Sequence, residues 1–308
     1  MSLKIAIVGT GAVGGWYGAL LAADGHEVRC LARRDATILN EKGIRLIQRG
    51  SEKVQRIALA SSNPEAIGMV DLVVVAAKTT ANANLAQWIK PMCGPQTVLL
   101  TLQNGMGNAE VLTQIVEPSR VVAGLCFVCI NRTAPGVIEN MLPGYIRMAA
   151  AQGPIHDNVR KCVDIFSHAG VDCKAEDSLD AVLWKKLCWN IPFNGLAIAA
   201  GGVTTDRILS EPALRARARS LMQEVQSAAA ACGVPFSHEH LERQFTVTET
   251  MGAYRPSSLI DYLEGKEVEI DPIWAIPLAR GQAVGVSMPE LSKLLSEIRV
   301  LVAKRKQG

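Results

Sequence analysis

The stretch that decides the fold is Lys4-Ile-Ala-Ile-Val-Gly-Thr-Gly-Ala-Val-Gly-Gly-Trp-Tyr-Gly18. A β-branched apolar run, Lys4–Val8, leads directly into a glycine-rich turn and then into small residues with helical spacing, Gly15–Ala23. In a unit of strand, tight turn and helix, the glycines allow the turn, the close approach of a pyrophosphate, and helix packing on the strand. A glycine-rich turn without a ligand is the alternative. The candidate cofactor-binding residues of this turn are Gly9, Thr10, Gly11, Ala12, Val13 and Gly14.

Composition limits the classes of partner. A chain of 308 residues with 49% hydrophobic content can bury a large core and is long enough for two domains. The net charge of +3 is too small to indicate nucleic acid or an anionic membrane, but it is compatible with a small anionic substrate. We therefore expect a small-molecule partner, no nucleic acid and no membrane. Homodimer formation stays open.

The N-terminal sequence and the contexts of the cysteines both indicate a reducing compartment. The N-terminus enters the first strand without a signal-peptide pattern, and no apolar run approaches the roughly 20 residues of a spanning helix, so we expect a cytoplasmic protein. The eight cysteines lie in apolar contexts typical of core residues. Cys126 and Cys129 lie in a predicted strand that sends their thiols to opposite faces, and we expect no metal site.

The end of the second predicted strand, Glu27–Leu31, distinguishes between dinucleotides. A domain specific for NAD carries Asp or Glu there to bind the ribose 2′-hydroxyl, whereas this chain has Arg33, and an arginine accommodates a 2′-phosphate. The sequence therefore favours NADP (NADPH). Asp35 is the competing residue, and we interpret it as the N-cap of a helix, Ala36–Glu41.

Two further buried strands end in polar residues. Asp71–Ala76 is followed by Lys78, and Thr97–Leu102 is followed by Asn104. Ligands of an open parallel sheet bind outside the carboxyl ends of its strands, so both side chains are expected at the cofactor crevice. The alternatives are a solvated loop lysine for Lys78 and simple turn chemistry for Asn104-Gly105.

The pattern of elements changes once along the chain. Strands are predicted up to about residue 174, including Gly136–Glu139 and Tyr145–Met148, and after a polar break at Glu176–Asp180 every segment is predicted as helix. The fold class is therefore α/β, with an N-terminal Rossmann-type parallel sheet followed by an all-α domain. We place the NADP-binding domain at residues 1–178 and the substrate-binding and catalytic domain at residues 179–308.

One predicted helix, Asp180–Ala200, carries the chemistry. Lys186, Asn190 and Asn194 recur every four residues and form a single polar stripe on a mostly apolar helix. Such a stripe must be wet, hydrogen-bonded or functional. The alternative is a solvent face from which Lys185 and Lys186 extend into water. A lysine in a cleft is a candidate proton donor for carbonyl reduction.

These motifs, in their order, resemble the ketopantoate reductase family over essentially the full chain. The serine segment departs from the family's common Met-Leu-Gln at Ser258-Leu-Ile260, and Gly195 stands where Pro or Ala is usual, which leaves the substrate open. The matching pieces are Gly9–Gly14, Arg33, Lys78, Asn104–Gly107, Trp184–Leu187 with Asn190 and Asn194, Ser257–Asp261, and Glu269–Asp271.

The resemblance implies an activity and roles for these residues. It implies reduction of 2-dehydropantoate to pantoate, a step of pantothenate biosynthesis toward coenzyme A, with Lys186 as the general acid. It places Arg33 and Lys78 at the adenosine phosphate end of NADPH, Asn104 near the nicotinamide, and Glu269 on the cofactor as the domains close. The implied substrate-binding residues are Asn104, Lys186, Asn190, Asn194 and Ser257. Reduction of another branched 2-oxo acid, or a non-catalytic NADP-sensing role, are the alternatives.

Overall fold

The computed structural model describes residues 2–307 and consists of two compact units. The first comprises the chain up to Asn104 together with Asn108–Leu179. The second comprises Gly105–Gly107 together with the residues from Asp180 onward. The assignment of functions to these two parts remains a prediction.

The first unit is built on a ten-stranded sheet with the order β4-β3-β9-β8-β7-β6-β1-β2-β5, in which β10 also pairs with β9. The strands from β8 to β5 run parallel, while β8 with β9 and β3 with β4 are antiparallel. The strands are β1 Lys4–Val8, β2 Glu27–Leu31, β3 Ile44–Gln48, β4 Ser51–Gln55, β5 Leu59–Ser61, β6 Val70–Val75, β7 Cys93–Thr101, β8 Val121–Ala134, β9 Val137–Ala150 and β10 Asp172–Ala175.

Helices cover both faces of this sheet. Ile5 and Ile7 of β1 lie in the hydrophobic core of one face, and Ala6 and Val8 lie in the core of the other. A strand buried on both sides needs the continuous apolar run that the sequence provides. The predicted α/β fold class is confirmed. The helices are α1 Ala12–Ala23, α2 Ala36–Lys42, α3 Pro64–Ile67, α4 Leu85–Ile89, α5 Asn108–Leu112 and α6 Asp157–His168, with 3-10 turns at Thr79–Asn84, Lys90–Met92 and Pro118–Arg120.

The prediction of separate strands at Gly136–Glu139 and Tyr145–Met148 is wrong. Both belong to β9, which pairs with β8 along its whole length. The register of this pair shifts on either side of Cys129, so bulges absorb the irregular stretch between the two segments without ending the ladder. A Cβ on Gly144 would lie 2.4 Å from the carbonyl oxygen of Phe127, so only glycine fits there.

The second unit is helical, and its core packs around α7, which continues through Pro192. The side chains of Trp184, Phe193 and Trp274 are fully buried. The sequence did not predict the short helix α8. The helices are α7 Leu179–Ala199, α8 Thr205–Ser210, α9 Pro212–Ala231, α10 His238–Glu249, α11 Ser257–Leu263, a π-helix Asp271–Ala275, α12 Ile276–Ala283 and α13 Pro289–Gln307.

All eight cysteines are free, and most are buried. Burial raises the pKa of the Cys30, Cys162 and Cys188 thiols to about 12, and burial together with nearby Cys126 does the same for Cys173. Among the residues that the structure describes, no helix combines the length and hydrophobicity needed to cross a bilayer.

Candidate functional site

The glycine-rich turn follows β1 and has the geometry of an anion-binding site. Gly9 has φ +96°, and a Cβ there would lie 2.5 Å from the backbone nitrogen of Ala77. A Cβ on Gly14 would lie 2.0 Å from the carbonyl oxygen of Gly9, so α1 packs against the turn as closely as glycine allows. A Cβ on Gly11 would meet nothing within 4 Å. The open space beside Gly11 is where a phosphate can approach the backbone.

The start of α1 adds electrostatic attraction. Gly11 is its N-cap residue with extended backbone, no side chain caps the helix, and its first turn has no acidic residue. The first N–H groups of a helix have no intrahelical acceptor and carry partial positive charge. Thr10, Ala12 and Val13 are half-buried around this end. The turn and helix start together fit the pyrophosphate of a dinucleotide.

Two basic residues follow the strands on either side of β1. Arg33 lies after β2 and Lys78 after β6, and both side chains are exposed. Because β2 and β6 both run parallel to β1, the two residues share the sheet edge of the glycine-rich turn. The guanidinium carbon of Arg33 lies 5.9 Å from the ring centroid of Trp88 on α4, a cation–π contact.

Asp35 occupies the N-cap position of α2, but its side chain makes no capping hydrogen bond. Its carboxylate instead accepts a hydrogen bond from Nη2 of Arg132 at 2.5 Å. Asp35 is therefore the N-cap residue of α2 by position, as predicted, but its side chain pairs with Arg132 and does not cap the helix. Arg132 lies on β8, 97 residues further along the chain, so no local pattern could have predicted this pair.

Asn104 follows β7 and is half-buried. Its carbonyl oxygen accepts a hydrogen bond from Nδ2 of Asn108 at 3.0 Å. The next residue, Gly105, has φ +81°, and a Cβ there would lie 2.4 Å from the carbonyl oxygen of Pro272. The Met106 N–H donates to the same oxygen at 2.8 Å. The Asn104-Gly105 turn is thus a packed element of the fold and needs its glycine.

In the second unit, the polar stripe of α7 is buried increasingly along the helix. Lys186 is half-buried, while Asn190 is 6% and Asn194 is 1% exposed. Eight residues of helix span about 12 Å. Lys185, one residue before the stripe, is exposed. The alternative that the stripe is a solvent face is therefore wrong for both asparagines.

Asn194 also connects α7 to α11. Its Oδ1 accepts a hydrogen bond from the backbone N–H of Ser258 at 3.0 Å. Ser257 is the first residue of α11 and is exposed, and the N-cap position belongs to Pro256, which has no capping side chain. The alternative role of Ser257 as a helix cap is wrong, because the side chain of Asn194 satisfies this helix start.

The departure from the family pattern at Gly195 has a packing reason. A Cβ there would lie 2.6 Å from Cδ2 of Leu294 and 2.9 Å from Nε1 of Trp274. Trp274 uses that nitrogen to donate to the carbonyl oxygen of Ile191 at 3.0 Å. The glycine therefore allows an indole to approach the α7 backbone, and this change says nothing about the substrate.

Glu269 is 8% exposed and lies in the irregular segment between α11 and the π-helix. Pro272, three residues further on, is the acceptor for the Met106 N–H. The segment that carries Glu269 is thus fixed to Gly105–Gly107 within the second unit.

Sequence reasoning gave no functional role to His240, which lies next to the polar stripe of α7. Its Nε2 lies 3.3 Å from the carbonyl oxygen of Lys185 and 3.2 Å from Nε2 of Gln244. Burial lowers the pKa of His240, and the charges of Lys185 and Arg243 lower it further, while the hydrogen bond to the Lys185 carbonyl raises it. The sequence places His240 at a helix start, with no sign that α10 packs against α7.

The loops at the strand ends of the first unit gather the glycine-rich turn, Arg33, Lys78 and Asn104, and the second unit joins the stripe of α7 to the serine segment of α11. A glycine-rich turn that can bind a phosphate on a Rossmann-type sheet, together with a lysine–asparagine stripe on a buried helix, is typical of nicotinamide-dinucleotide oxidoreductases that act on a C=O or CH–OH group. Family models described as "Ketopantoate reductase PanE/ApbA" and its C-terminal counterpart match residues 5–153 and 178–302. The chain belongs to the ketopantoate reductase family.

Individual relatives agree with this family. A 2-dehydropantoate 2-reductase of Nostoc sp. is 32% identical over 310 residues, which cover 99% of this chain and 97% of the relative. The crystal structure of 2-dehydropantoate 2-reductase from Geobacter metallireducens is 35% identical, with a TM-score of 0.93 over 97% of this chain and 99% of that one. A ternary structure of D-mandelate dehydrogenase with NADH and anilino(oxo)acetate has a TM-score of 0.91 over 98% of this chain and 99% of that one, and at 22% identity this likeness shows the fold alone.

Proposed function

We propose that this protein reduces 2-dehydropantoate to pantoate with NADPH, as a step of pantothenate biosynthesis. The observation that carries the proposal is the stripe of Lys186, Asn190 and Asn194, whose two asparagines are nearly inaccessible although they lie on a mostly apolar helix. Polar side chains buried on such a helix need hydrogen-bond partners, and an amide carries two donors and an acceptor with two lone pairs, so a bound substrate can be one of several partners. The choice of 2-dehydropantoate as the substrate is supported by the relatives named 2-dehydropantoate 2-reductase.

The residues present fit the cofactor. The open side of Gly11 and the uncapped start of α1 would hold the pyrophosphate, and Arg33 and Lys78 would hold the 2′-phosphate by charge-assisted hydrogen bonds. Asn104 would bind near the nicotinamide, and Glu269 would contact the cofactor as the domains close. When bound, NADPH supplies the hydride that reduces the C2 carbonyl.

Lys186 would supply the proton. A lysine ammonium is protonated at neutral pH, so it can hydrogen-bond to the carbonyl oxygen of a 2-oxo acid and donate a proton as negative charge develops there. The same positive charge stabilises that oxygen in a site with little water. Hydride addition to carbon and proton donation to oxygen together give the 2-hydroxy acid.

The asparagines and the serine would orient the substrate. Asn190, Asn194 and Ser257 each offer polar hydrogens that can bind the carboxylate or the hydroxyl group of 2-dehydropantoate, and Asn104 would contact the substrate beside the cofactor. The exposed Ser257 side chain is accessible to such a ligand.

Substitution of the lysine tests the catalytic role. Lys186→Ala should lower kcat with 2-dehydropantoate by about 10²- to 10⁴-fold, because the developing charge loses its proton donor. The dissociation constant for NADPH, measured by fluorescence titration, should stay within about twofold of wild type. Steady-state oxidation of NADPH followed at 340 nm gives the rate.

The neighbouring lysine is a matched control. Lys185→Ala removes the same charge from the same helix turn, but its side chain is exposed, so activity should remain within about threefold of wild type. Equal rates for Lys186→Ala and wild type would exclude Lys186 as the proton donor.

A substrate panel separates the proposal from its alternatives. The panel contains 2-dehydropantoate, a branched 2-oxo acid without its hydroxyl group, and the aromatic 2-oxo acid that corresponds to mandelate. Each is tested with NADPH and with NADH. The highest kcat/KM should be that of 2-dehydropantoate with NADPH. Preference for another 2-oxo acid would replace the substrate and keep the chemistry, whereas tight NADPH binding without turnover would support the sensing role.

A further inference from the structure

The ion pair of Asp35 and Arg132 lies at the position that distinguishes NADP from NAD. We propose that Arg132 is a specificity-determining residue, which makes the cofactor site selective for a 2′-phosphate by neutralising Asp35. The inference rests on the NADPH-dependent reduction proposed above and adds to it the origin of cofactor choice.

Asp35 is placed where an NAD-specific protein has its acidic residue. It follows the glycine-rich turn by about 20 residues, the spacing at which an Asp or Glu binds the ribose 2′-hydroxyl. The Gly9 N–H donates to the carbonyl oxygen of Leu31 at 3.4 Å, so the end of β2 lies against the phosphate-binding turn. A charged carboxylate four residues beyond Leu31 would select against a phosphorylated ribose.

In the structure, the Asp35 carboxylate forms an ion pair with Arg132. The Asp35 side chain is 11% exposed and contacts Nη2 of Arg132 at 2.5 Å. Arg33, only two residues before Asp35, is exposed and lies over the ring of Trp88. The acid at the end of β2 is therefore paired with a distant arginine, and the nearby arginine faces solvent.

Charge explains the selectivity. A 2′-phosphate carries up to two negative charges, and an unpaired carboxylate nearby would repel it through a partly buried environment where screening is weak. With Arg132 in place, the Asp35–Arg132 pair is neutral, and the positive charges of Arg33 and Lys78 determine the local field. Without Arg132, Asp35 would also be available to accept a hydrogen bond from the 2′-hydroxyl of NADH.

The test measures binding of both cofactors without substrate. Dissociation constants for NADPH and NADH are determined by fluorescence titration for wild type, Arg132→Gln and Arg132→Lys. Arg132→Gln should weaken NADPH about tenfold and leave NADH unchanged or tighter. Arg132→Lys retains the charge and should keep the ratio of the two constants within about threefold of wild type.

Two further variants sharpen the result. The double variant Asp35→Asn/Arg132→Gln removes both charges and should restore the NADPH preference lost in Arg132→Gln. Arg132→His carries a cation at pH 6 and is neutral at pH 8, so its preference for NADPH should fall as the pH rises, even if Arg132→Gln does not fold.

Arg147→Gln is the matched control, because Arg147 on β9 also pairs with a carboxylate, Asp172, at 3.2 Å. Its cofactor ratio should equal that of wild type. An unchanged ratio in folded Arg132→Gln, or equal weakening of both cofactors, would overturn the role of Arg132. Tighter binding of NADH than NADPH by the wild type would instead overturn the proposed cofactor, and the two failures are thus distinguishable.

Discussion

Lys185 and Lys186 are consecutive in the chain, yet their side chains have different surroundings. Lys185 is exposed, and Lys186 is half-buried at the head of a stripe that ends in the inaccessible Asn194. One step along an α-helix turns the side chain by about 100°, so neighbouring residues face different environments. The role proposed for Lys186 therefore depends on the helix face that it occupies and not on the Lys-Lys pair.

At the same scale, His240 should make stability depend on pH. Burial holds its pKa below the ordinary value of 6.5, so the folded protein binds this proton less readily than the unfolded chain does. The stabilising contribution is complete above about pH 6.5 and is lost as the pH falls through the window between the unfolded and the folded pKa. The wild type should therefore melt at a lower temperature at pH 5.5 than at pH 7.5.

His240→Gln keeps a hydrogen-bond donor for the Lys185 carbonyl and removes the titration. The difference in melting temperature between pH 7.5 and pH 5.5 should be smaller in this variant than in wild type, by differential scanning calorimetry. His238→Gln changes an exposed histidine of the same helix and should retain more of the wild-type difference. An identical pH response in His240→Gln and wild type would contradict this assignment.

At the scale of elements, the side chain of Asn194 joins α7 to the start of α11. Asn194 uses its oxygen to satisfy the N–H of Ser258, while Ser257 beside it is exposed. The two residues share the predicted task of binding substrate, but only Asn194 also supports the fold.

This difference predicts different outcomes for two alanine variants. Asn194→Ala should lose both activity and about 1–3 kcal/mol of unfolding free energy, because the buried Ser258 N–H loses its acceptor. Ser257→Ala should lose activity with 2-dehydropantoate while its stability remains within about 0.5 kcal/mol of wild type. Urea unfolding and steady-state kinetics measure the two effects. If Ser257→Ala were as unstable as Asn194→Ala, the Ser257 side chain would also support the fold, which would contradict this prediction.

Elements with a strong local pattern could be predicted from sequence. Glu27–Leu31 is a strand as predicted, because its alternation and flanking turn are local signals. The division of β9 into two strands failed because bulges kept the pairing with β8 intact, and a cross-strand ladder is not visible in one strand's sequence. Short helices such as α8 have too few residues for a helical period to be detected.

The candidate site divides in the same way. The glycine-rich turn and the stripe of Lys186 could be found because their spacing is fixed by one strand–turn–helix unit and by one helix. The partner of Asp35 and the acceptor role of Asn194 depend on contacts of 97 and 64 residues' separation. Such contacts are set by how the sheet and the helices pack, so single-sequence patterns carry no signal for them.

At the scale of the whole molecule, the chain passes between its two units three times. It enters the second unit at Gly105, returns at Asn108, and enters it again at Asp180. The second unit is therefore not one continuous segment: Gly105–Gly107 belongs to it, and the Met106 N–H donates to the carbonyl oxygen of Pro272. A fragment starting at Asp180 would lack this contact.

The thiols of the core provide a built-in reporter of global unfolding. Thiols with a pKa of about 12, such as those of Cys30, Cys162 and Cys188, are ionised in roughly one molecule in 10⁴ or fewer at pH 7.5, and only thiolates attack a disulfide reagent. In the native protein, the half-buried Cys93 and Cys232 should therefore react first with Ellman's reagent, and the remaining cysteines only after unfolding. A rapid reaction of more than two thiols with Ellman's reagent in the native protein would contradict this expectation. The slow phase of that reaction, followed at increasing urea, would time the opening of the entire core without any attached dye or engineered label.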